Sequence, residues 1–595
     1  MKKNLFAVVV AVFVVLNLAN AQDYQDKFIK YSTPKLSKEQ LVTVRNGIKG
    51  VDYDEKEAMV LTKITEWQYH IDTVGVTYHR VGNTFSYARM LLNTQEDKYI
   101  DRACKAILAS IALQDVNPKS KTYGLWPYFK EEPLATKRTP PDFNMADFFS
   151  VTLLDIYMGH KQRLPDSVVS KIVASLKLAS RCIQKRDQGP SYTNIAIMGT
   201  YVTYMVSHLF NMPDMQDYAA KRLKIFYDYT IEKQGFTEFN SPTYTLTALD
   251  EISRMKQHIV EPDAKAMVDK INDVAWNIIA RHFHKPTGQW AGPNSRSYST
   301  LLKQEKLFTI LNLASKGKVG LVEKKYDANE ILLEYEMPEK YIPYFNSPVY
   351  PRMESDVFEP NEPKVTGTTL LEKDFVLSTA NRSCLWNQRR PFLAYWGTSE
   401  SPRYLQFQFL HNNYDFSSAA IFTQQENTDI LAGVNLFLFG GDKHIGLDKI
   451  KTGKFKAKDL RLRFRFGGTK SSDVLSIPTK ENEPFQFKID DLSFQIHLFQ
   501  ASYDKQKGYW EKGGDGKDAW IDYVLYAGAE KEIDLNAVQE AVWAFTFSMG
   551  KKGQKLPTSK PEFDIIDKTF HAKWNNLKID FPTNLLLLGG FPKNL

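Results

Sequence analysis

Apolar residues recur at three- and four-residue spacing through the first half of the chain, the period of helices that bury one face. The pattern predicts helices over 54–70, 84–92, 99–113, 145–158, 166–184, 193–210, 215–232, 243–258, 263–283 and 298–314. An earlier helix opens after Ser37, where Ser37-Lys38-Glu39-Gln40 has the Ser-x-x-Gln form of a capping box. Pro165, Pro213, Pro242 and Pro262 fall at helix starts, where a missing N–H leaves no bond unmade. The texture changes near 316–325. Beyond it, short alternating or β-rich runs separated by Gly-Gly, Gly-Asp and Asn-Glu-Pro turns predict strands. Examples are 375–379, 392–396, 404–410, 434–439, 460–466, 494–499, 519–527 and 542–548. The fold class is therefore α then β, with an all-helical domain over 22–320 and an antiparallel β-sandwich over 321–595.

Four connections between the predicted helices look alike. They are PPDFNMADF (140–148), GPSYTNIAI (189–197), GFTEFNSPTY (235–244) and WAGPNSRSY (290–298). Each places an asparagine at or just before an apolar run: Asn144, Asn194, Asn240 and Asn294, at intervals of 50, 46 and 54 residues. A period of two helices plus loops predicts a helical solenoid or a closed (α/α) toroid, with these loops along one rim. Helix starts offer unpaired N–H groups and a positive dipole end, which suit carboxylates and polyols. Asparagine is also a preferred helix cap, so capping alone explains any one of the four. It does not explain Glu238, Tyr244, Arg296, Tyr298, Asp142 and Tyr192, which share the same loops.

Composition changes this picture little. Of 595 residues, 43% are hydrophobic and 25% charged, ordinary globular values, and the length implies two domains. Aromatics reach 13%, with 30 Tyr and 37 Phe, which suits sugar stacking and large cores alike. The N-terminus reads as a secretory leader over 1–21. Lys2 and Lys3 precede an apolar run, and Ala19-Asn20-Ala21 is a small-x-small cleavage site giving a mature start at Gln22. The expected location is periplasmic or secreted, with no membrane span. The net charge of +8 loses two units with Lys2 and Lys3, and the remainder mildly favours acidic partners. No basic block interleaved with aromatics points to nucleic acid. Cys104, Cys182 and Cys384 are odd in number and widely spaced, giving neither a disulfide framework nor a zinc pattern; at most Cys104 and Cys182 pair. No tight His/Asp/Glu cluster predicts a metal, and no cofactor is expected.

Two chemistries suit the rim. β-Elimination beside a uronate needs carboxylate neutralisation, a base for the C5 hydrogen and an acid for the leaving oxygen. Asn194, Asn240 and Arg296 are the candidate neutralisers, Tyr244 the base and Tyr298 the acid. A neighbouring cation lowers a tyrosine pKa. His79 is an alternative base. Glycoside hydrolysis instead needs two carboxylates, and Glu238 with Asp142 or Asp147 is the candidate pair. Asn144 and Tyr192 are candidate substrate-binding groups, and Trp126, Tyr128 and Trp290 candidate stacking platforms. In the β half, Arg389 and His411 are candidates to complete the site.

With GPSYTNI, FTEFNSPTY and GPNSRSY on toroid loops ahead of a long sandwich, the chain resembles the heparinase II/III-like and chondroitin AC/alginate lyase-like polysaccharide lyases. The resemblance lies in layout and covers nearly all of the mature chain. It implies an acidic oligo- or polysaccharide substrate, with Asn194 as neutraliser, Tyr244 as base and Arg296 as supporting cation. Among named activities it points to the L-rhamnose-α-1,4-D-glucuronate lyase type. The Asn/His-then-Tyr order of the alginate and heparin lyases has no residue-by-residue match here. Toroids also host hydrolases and epimerases, so layout alone does not fix the reaction; the alternatives are an inverting glycosidase on the same scaffold and a non-catalytic glycan-binding protein.

Overall fold

The computed structural model describes residues 27–31, 35–66, 70–321, 333–441, 450–470, 477–478, 482–504 and 506–587. The leader at 1–21 and the start at Gln22 lie outside the described residues. The chain forms two compact units. One comprises Met1–Ile231, Thr247–Val274 and Glu305–Pro338; the other comprises Glu232–Leu246, Ala275–Gln304 and Glu339–Leu595.

The first unit is helical. Helix α1 (Lys38–Lys49) carries the expected capping box: Ser37 accepts from the Gln40 N–H, and the Gln40 side chain accepts from the Ser37 N–H. Then follow α2 (Val81–Asn93), α3 (Ile100–Ile111), α4 (Met145–His160), α5 (Asp166–Arg186) and α6 (Thr193–Leu209). Helices α2, α4 and α6 pack in a row, while α3 packs on α2 and α5, and α5 on α4 and α6. Burial explains the two rows. All 17 residues of α6 are buried, as befits an inner helix apolar all round. Helix α5 buries only a stripe that includes Val168, Ile172, Leu176, Ala179 and Ile183, the spacing of an outer helix. Alternating inner and outer helices are the plan of an (α/α) toroid. The later helices are α7 (Pro213–Lys233), α8 (Tyr244–His258), α9 (Pro262–His282) and α10 (Gln304–Ala314).

Two predicted helices need correction. Where a helix is expected over 54–70, the described residues form short strands, Tyr53–Asp54 and Met59–Lys63, paired antiparallel. Asp54 Oδ1 accepts from the backbone N–H groups of Lys56 and Glu57, and Ala58 takes a positive φ, so the segment turns back on itself. The last predicted helix begins at Gln304 rather than 298. Residues before it are held in an extended loop, with Ser297 N–H donating to the Gln388 carbonyl and the Tyr395 hydroxyl to that of Thr300.

The second unit is built on antiparallel sheets. A nine-stranded sheet and a six-stranded sheet share one core, in which Phe392, Phe407 and Phe464 meet Phe545 and Phe547. In the larger sheet Pro402–His411 lies between Phe392–Gly397 and Lys454–Gly467. A three-stranded sheet, Glu562–Ile566, Thr569–Trp574 and Leu577–Pro582, joins a second core with the six-stranded sheet. Gly433 makes that contact possible: a Cβ there would stand 2.1 Å from the Phe581 ring. The order of helices followed by antiparallel sheets is the fold class expected from the hydrophobic pattern. Among the described residues no helix is long and apolar enough to cross a membrane. All three cysteines are buried and none is in a disulfide, so the Cys104–Cys182 pairing does not occur.

Candidate active site

In the second unit the loops 235–243 and 290–298 are joined by side chains that the sequence offered as ligand-binding groups. Asn240 takes a left-handed backbone (φ 44°), which asparagine tolerates. Its Nδ2 donates to the carbonyls of Ala291 (2.8 Å) and Pro293 (3.0 Å), and its Oδ1 accepts from Trp290 Nε1. Asn294 Nδ2 donates to the Asn240 carbonyl at 2.8 Å. Asn240 is 2% exposed and Trp290 1%. Both are therefore loop pins: Asn240 has no amide group left for a sugar, and Trp290 presents no face to one. Nor does Asn240 cap α8. Ser241 does, its Oγ accepting from Tyr244 N–H (3.0 Å) and donating to the Arg296 carbonyl (2.6 Å).

This pinning brings Arg296 to the first turn of α8. Each of its three guanidinium nitrogens donates. Nε donates to Gln388 Oε1 (2.8 Å), Nη1 to Glu238 Oε1 (3.1 Å) and Nη2 to the Tyr244 hydroxyl (3.0 Å). Its central carbon lies 4.8 Å from the Trp386 ring centroid and 4.9 Å from that of Tyr244. The Tyr244 hydroxyl also meets the Tyr298 hydroxyl at 2.8 Å. Tyr244 is buried, whereas Tyr298 is 64% exposed. Burial pushes the Tyr244 hydroxyl well above the ordinary tyrosine range, with Arg296 opposing the rise. The arrangement is a buried phenol held by a cation and connected to an exposed phenol, a path for a proton between cluster and surface.

Sequence reasoning missed Gln388 and Trp386. It stopped one residue away, at Arg389, whose Nη1 instead donates to Cys384 Sγ (2.8 Å) in the interior. His411 is also removed from this role: its Nε2 contacts the Lys456 carbonyl and its ring packs on Phe416 and Phe455. The run Asn387-Gln388-Arg389-Arg390 was a visible signal, but which of its side chains faces Arg296 depends on the turn between strands.

The helical unit holds the other candidates. Asn144 stands at the N-cap of α4 without making a capping bond, and its Nδ2 donates to the Tyr192 hydroxyl at 3.2 Å. Asn194 lies in the first turn of α6, 4% exposed. The amide oxygens of Asn144 and Asn194 are buried and accept no hydrogen bond among the described residues, a costly state that a donor on a ligand relieves. Trp126 is 1% exposed and packs against Phe85 and Phe149, so it is a core residue rather than a stacking platform. Tyr128 donates to Asp142 Oδ2 at 2.6 Å. His79 is clamped between Glu131 (Nδ1 to Oε1, 2.5 Å) and Asp54 (Nε2 to Oδ2, 3.2 Å), which occupies both ring nitrogens. Asp147 is buried with Arg186 at 3.8 Å, and burial raises its carboxyl to about 7. Among the described residues no group of three or more His, Cys, Asp or Glu is placed to hold a metal.

The chain is similar in structure to a heparinase III at 9% identity, over 93% of this chain and 92% of that one, with a TM-score of 0.48. It is similar to the chondroitin AC lyase of Streptomyces coelicolor A3, solved with chondroitin sulphate, at 9% identity over 90% and 82% of the two chains, TM-score 0.45. A Paenibacillus xanthan lyase matches at 8% identity over 90% and 59%, TM-score 0.42. With TM-scores under 0.5, none of these likenesses assigns a residue or a substrate to this chain. No curated protein matches it. Residues 59–338 match a family model described as a domain of unknown function, DUF8769.

Proposed function

We propose that this protein is a polysaccharide lyase that cleaves a uronate-containing glycan by β-elimination, outside the cytoplasm. The observation that carries the reading is the Tyr244 hydroxyl, held between Arg296 Nη2 and the Tyr298 hydroxyl. In its phenolate form Tyr244 takes the C5 proton of the uronate. The C5–H electrons form the C4=C5 double bond as the C4–O bond breaks, and Tyr298 gives its proton to the leaving oxygen. Tyr244 now holds a proton and Tyr298 lacks one. Transfer across their 2.8 Å contact leaves Tyr298 neutral and Tyr244 ready again. Arg296 favours the phenolate; Glu238, Gln388 and Trp386 fix Arg296.

On the helical unit we extend the proposal to Asn144, Asn194 and Tyr192 as substrate-binding groups, since unsatisfied amide oxygens call for O–H donors. Asn194 keeps its proposed part in neutralising the carboxylate through its amide N–H. The finer proposal for the substrate is an L-rhamnose-α-1,4-D-glucuronate linkage. The reading of residues 22–320 as the catalytic domain and 321–595 as the sandwich domain stands as part of the same proposal, although Arg296 is held by Gln388.

The test is incubation with a panel of acidic glycans, including that linkage, followed by near-ultraviolet absorbance. Elimination creates a conjugated C=C; hydrolysis creates only a reducing end. New reducing ends without absorbance, abolished by Glu238→Gln, would establish the paired-carboxylate hydrolase instead.

A further inference from the structure

The helical unit contains a cavity of about 270 Å³ at the C-terminal ends of α2, α4 and α8. It lies away from the asparagine loops of that unit. Asn144 stands at the start of α4 and His160 at its end, about 24 Å apart at 1.5 Å per residue. At ~30 Å³ per water the cavity has room for about nine waters, enough for one sugar ring.

Its polar lining is specific. His160 is 4% exposed, and its Nε2 meets Asn93 Oδ1 at 2.8 Å. An amide oxygen only accepts, so Nε2 carries the hydrogen. Burial brings the imidazole down to about 4, so the ring is neutral and Nδ1 is a bare acceptor. That Nδ1 has no hydrogen-bond partner among the described residues, and neither has Asn93 Nδ2, a donor. A bare acceptor and a bare donor on either side of one histidine–asparagine pair are matched by a polyol, which supplies both functions through two separate hydroxyls. Apart from its histidines, the charged residues of the lining are Lys35, Arg89, Arg254 and Asp155. Arg89 and Arg254 both contact Asp155, and Arg254 Nη1 also donates to Glu251 Oε1 at 2.6 Å. Leu41 and Met158 add an apolar wall suited to the C–H face of a ring.

We propose that this cavity binds a single neutral pyranose, one hydroxyl of which accepts from Asn93 Nδ2 while a second donates to His160 Nδ1. The proposal is independent of the lyase reading, because no residue of the Tyr244–Arg296 cluster lines the cavity.

The test is calorimetric titration of the full chain with D-galactose, D-glucose and L-rhamnose, followed by crystals soaked in whichever binds. The expected result is binding of at least one sugar. It weakens at least tenfold in Asn93→Ala and in His160→Phe and is unchanged in Tyr298→Ala. The proposal is overturned if none of the three binds, or if binding survives Asn93→Ala and is lost in Tyr298→Ala. Should the cavity variants fail to fold, the soaked wild-type crystal decides: a ring in contact with His160 upholds the site, and water alone there refutes it.

Discussion

Arg296→Lys separates charge from geometry at the centre of the site. The guanidinium reaches Gln388, Glu238 and Tyr244 at once because its donors form a rigid fork. A lysine ammonium keeps the charge beside Glu238, so no buried carboxylate is left uncompensated and the fold survives. It cannot hold all three partners. The interaction lost at Tyr244 is a charge-assisted hydrogen bond, worth about 1.5–3 kcal/mol, which corresponds to roughly 10- to 150-fold in rate. The expected outcome is a fall of that size in kcat/KM, read as the initial rise of near-ultraviolet absorbance, with a melting temperature within a few degrees of wild type. The pH profile adds a second readout. Burial raises the Tyr244 hydroxyl, so below its pKa the active phenolate falls as pH falls. Wild-type kcat/KM should therefore climb by about one log unit per pH unit from roughly pH 6 to 9, and the Arg296→Lys curve should run parallel below it. Activity within threefold of wild type, or a flat wild-type profile across that window, refutes the reasoning.

Three further outcomes follow from the same contacts. Gln388→Ala frees one side of Arg296 and should lower kcat/KM severalfold with little effect on melting, whereas Arg389→Ala, at an interior contact, should show the reverse balance. Asn240→Ala removes three side-chain hydrogen bonds at a left-handed position and should cost about 2–4 kcal/mol in denaturant unfolding. Asp147 has a carboxyl raised to about 7 in the fold against an ordinary value near 4, so the folded state holds more protons between those values and stability falls as pH rises through them. Asp147→Asn should accordingly gain melting temperature relative to wild type at pH 8 and show little difference at pH 4, and an equal effect at both pH values would remove Asp147 from that balance.

Much of this was legible in the hydrophobic pattern. Most helices at three- and four-residue spacing came out within a few residues, because burial on one face is what the period records, whereas the strands expected at 434–439, 460–466 and 519–527 are Asp429–Leu436, Lys454–Gly467 and Asp518–Asp534. The segment at 54–70 did not come out, since five strand residues between two turns are too few to show a period. The helix predicted from 298 failed for a tertiary reason: Ser297 and Thr300 are tied to the Gln388 carbonyl and Tyr395, bonds no local rule reveals. The near-constant spacing of four asparagines concealed two different settings. Asn240 and Asn294 pin loops, whereas Asn144 and Asn194 keep unsatisfied oxygens. Trp126 and Trp290 looked like sugar platforms because sequence does not distinguish a tryptophan on a rim from one beneath it. Arg296 with Tyr244 was readable from the loop composition. Gln388, about ninety residues downstream, became visible only when the folded loops met.

The most direct measurement is the behaviour of Tyr244→Phe, which removes one hydroxyl from a buried ring and leaves the packing in place. The account predicts that this variant still binds the acidic glycan in calorimetry yet generates no ultraviolet-absorbing product in a single-turnover experiment. Wild-type rates of double-bond formation from the phenylalanine variant would contradict it.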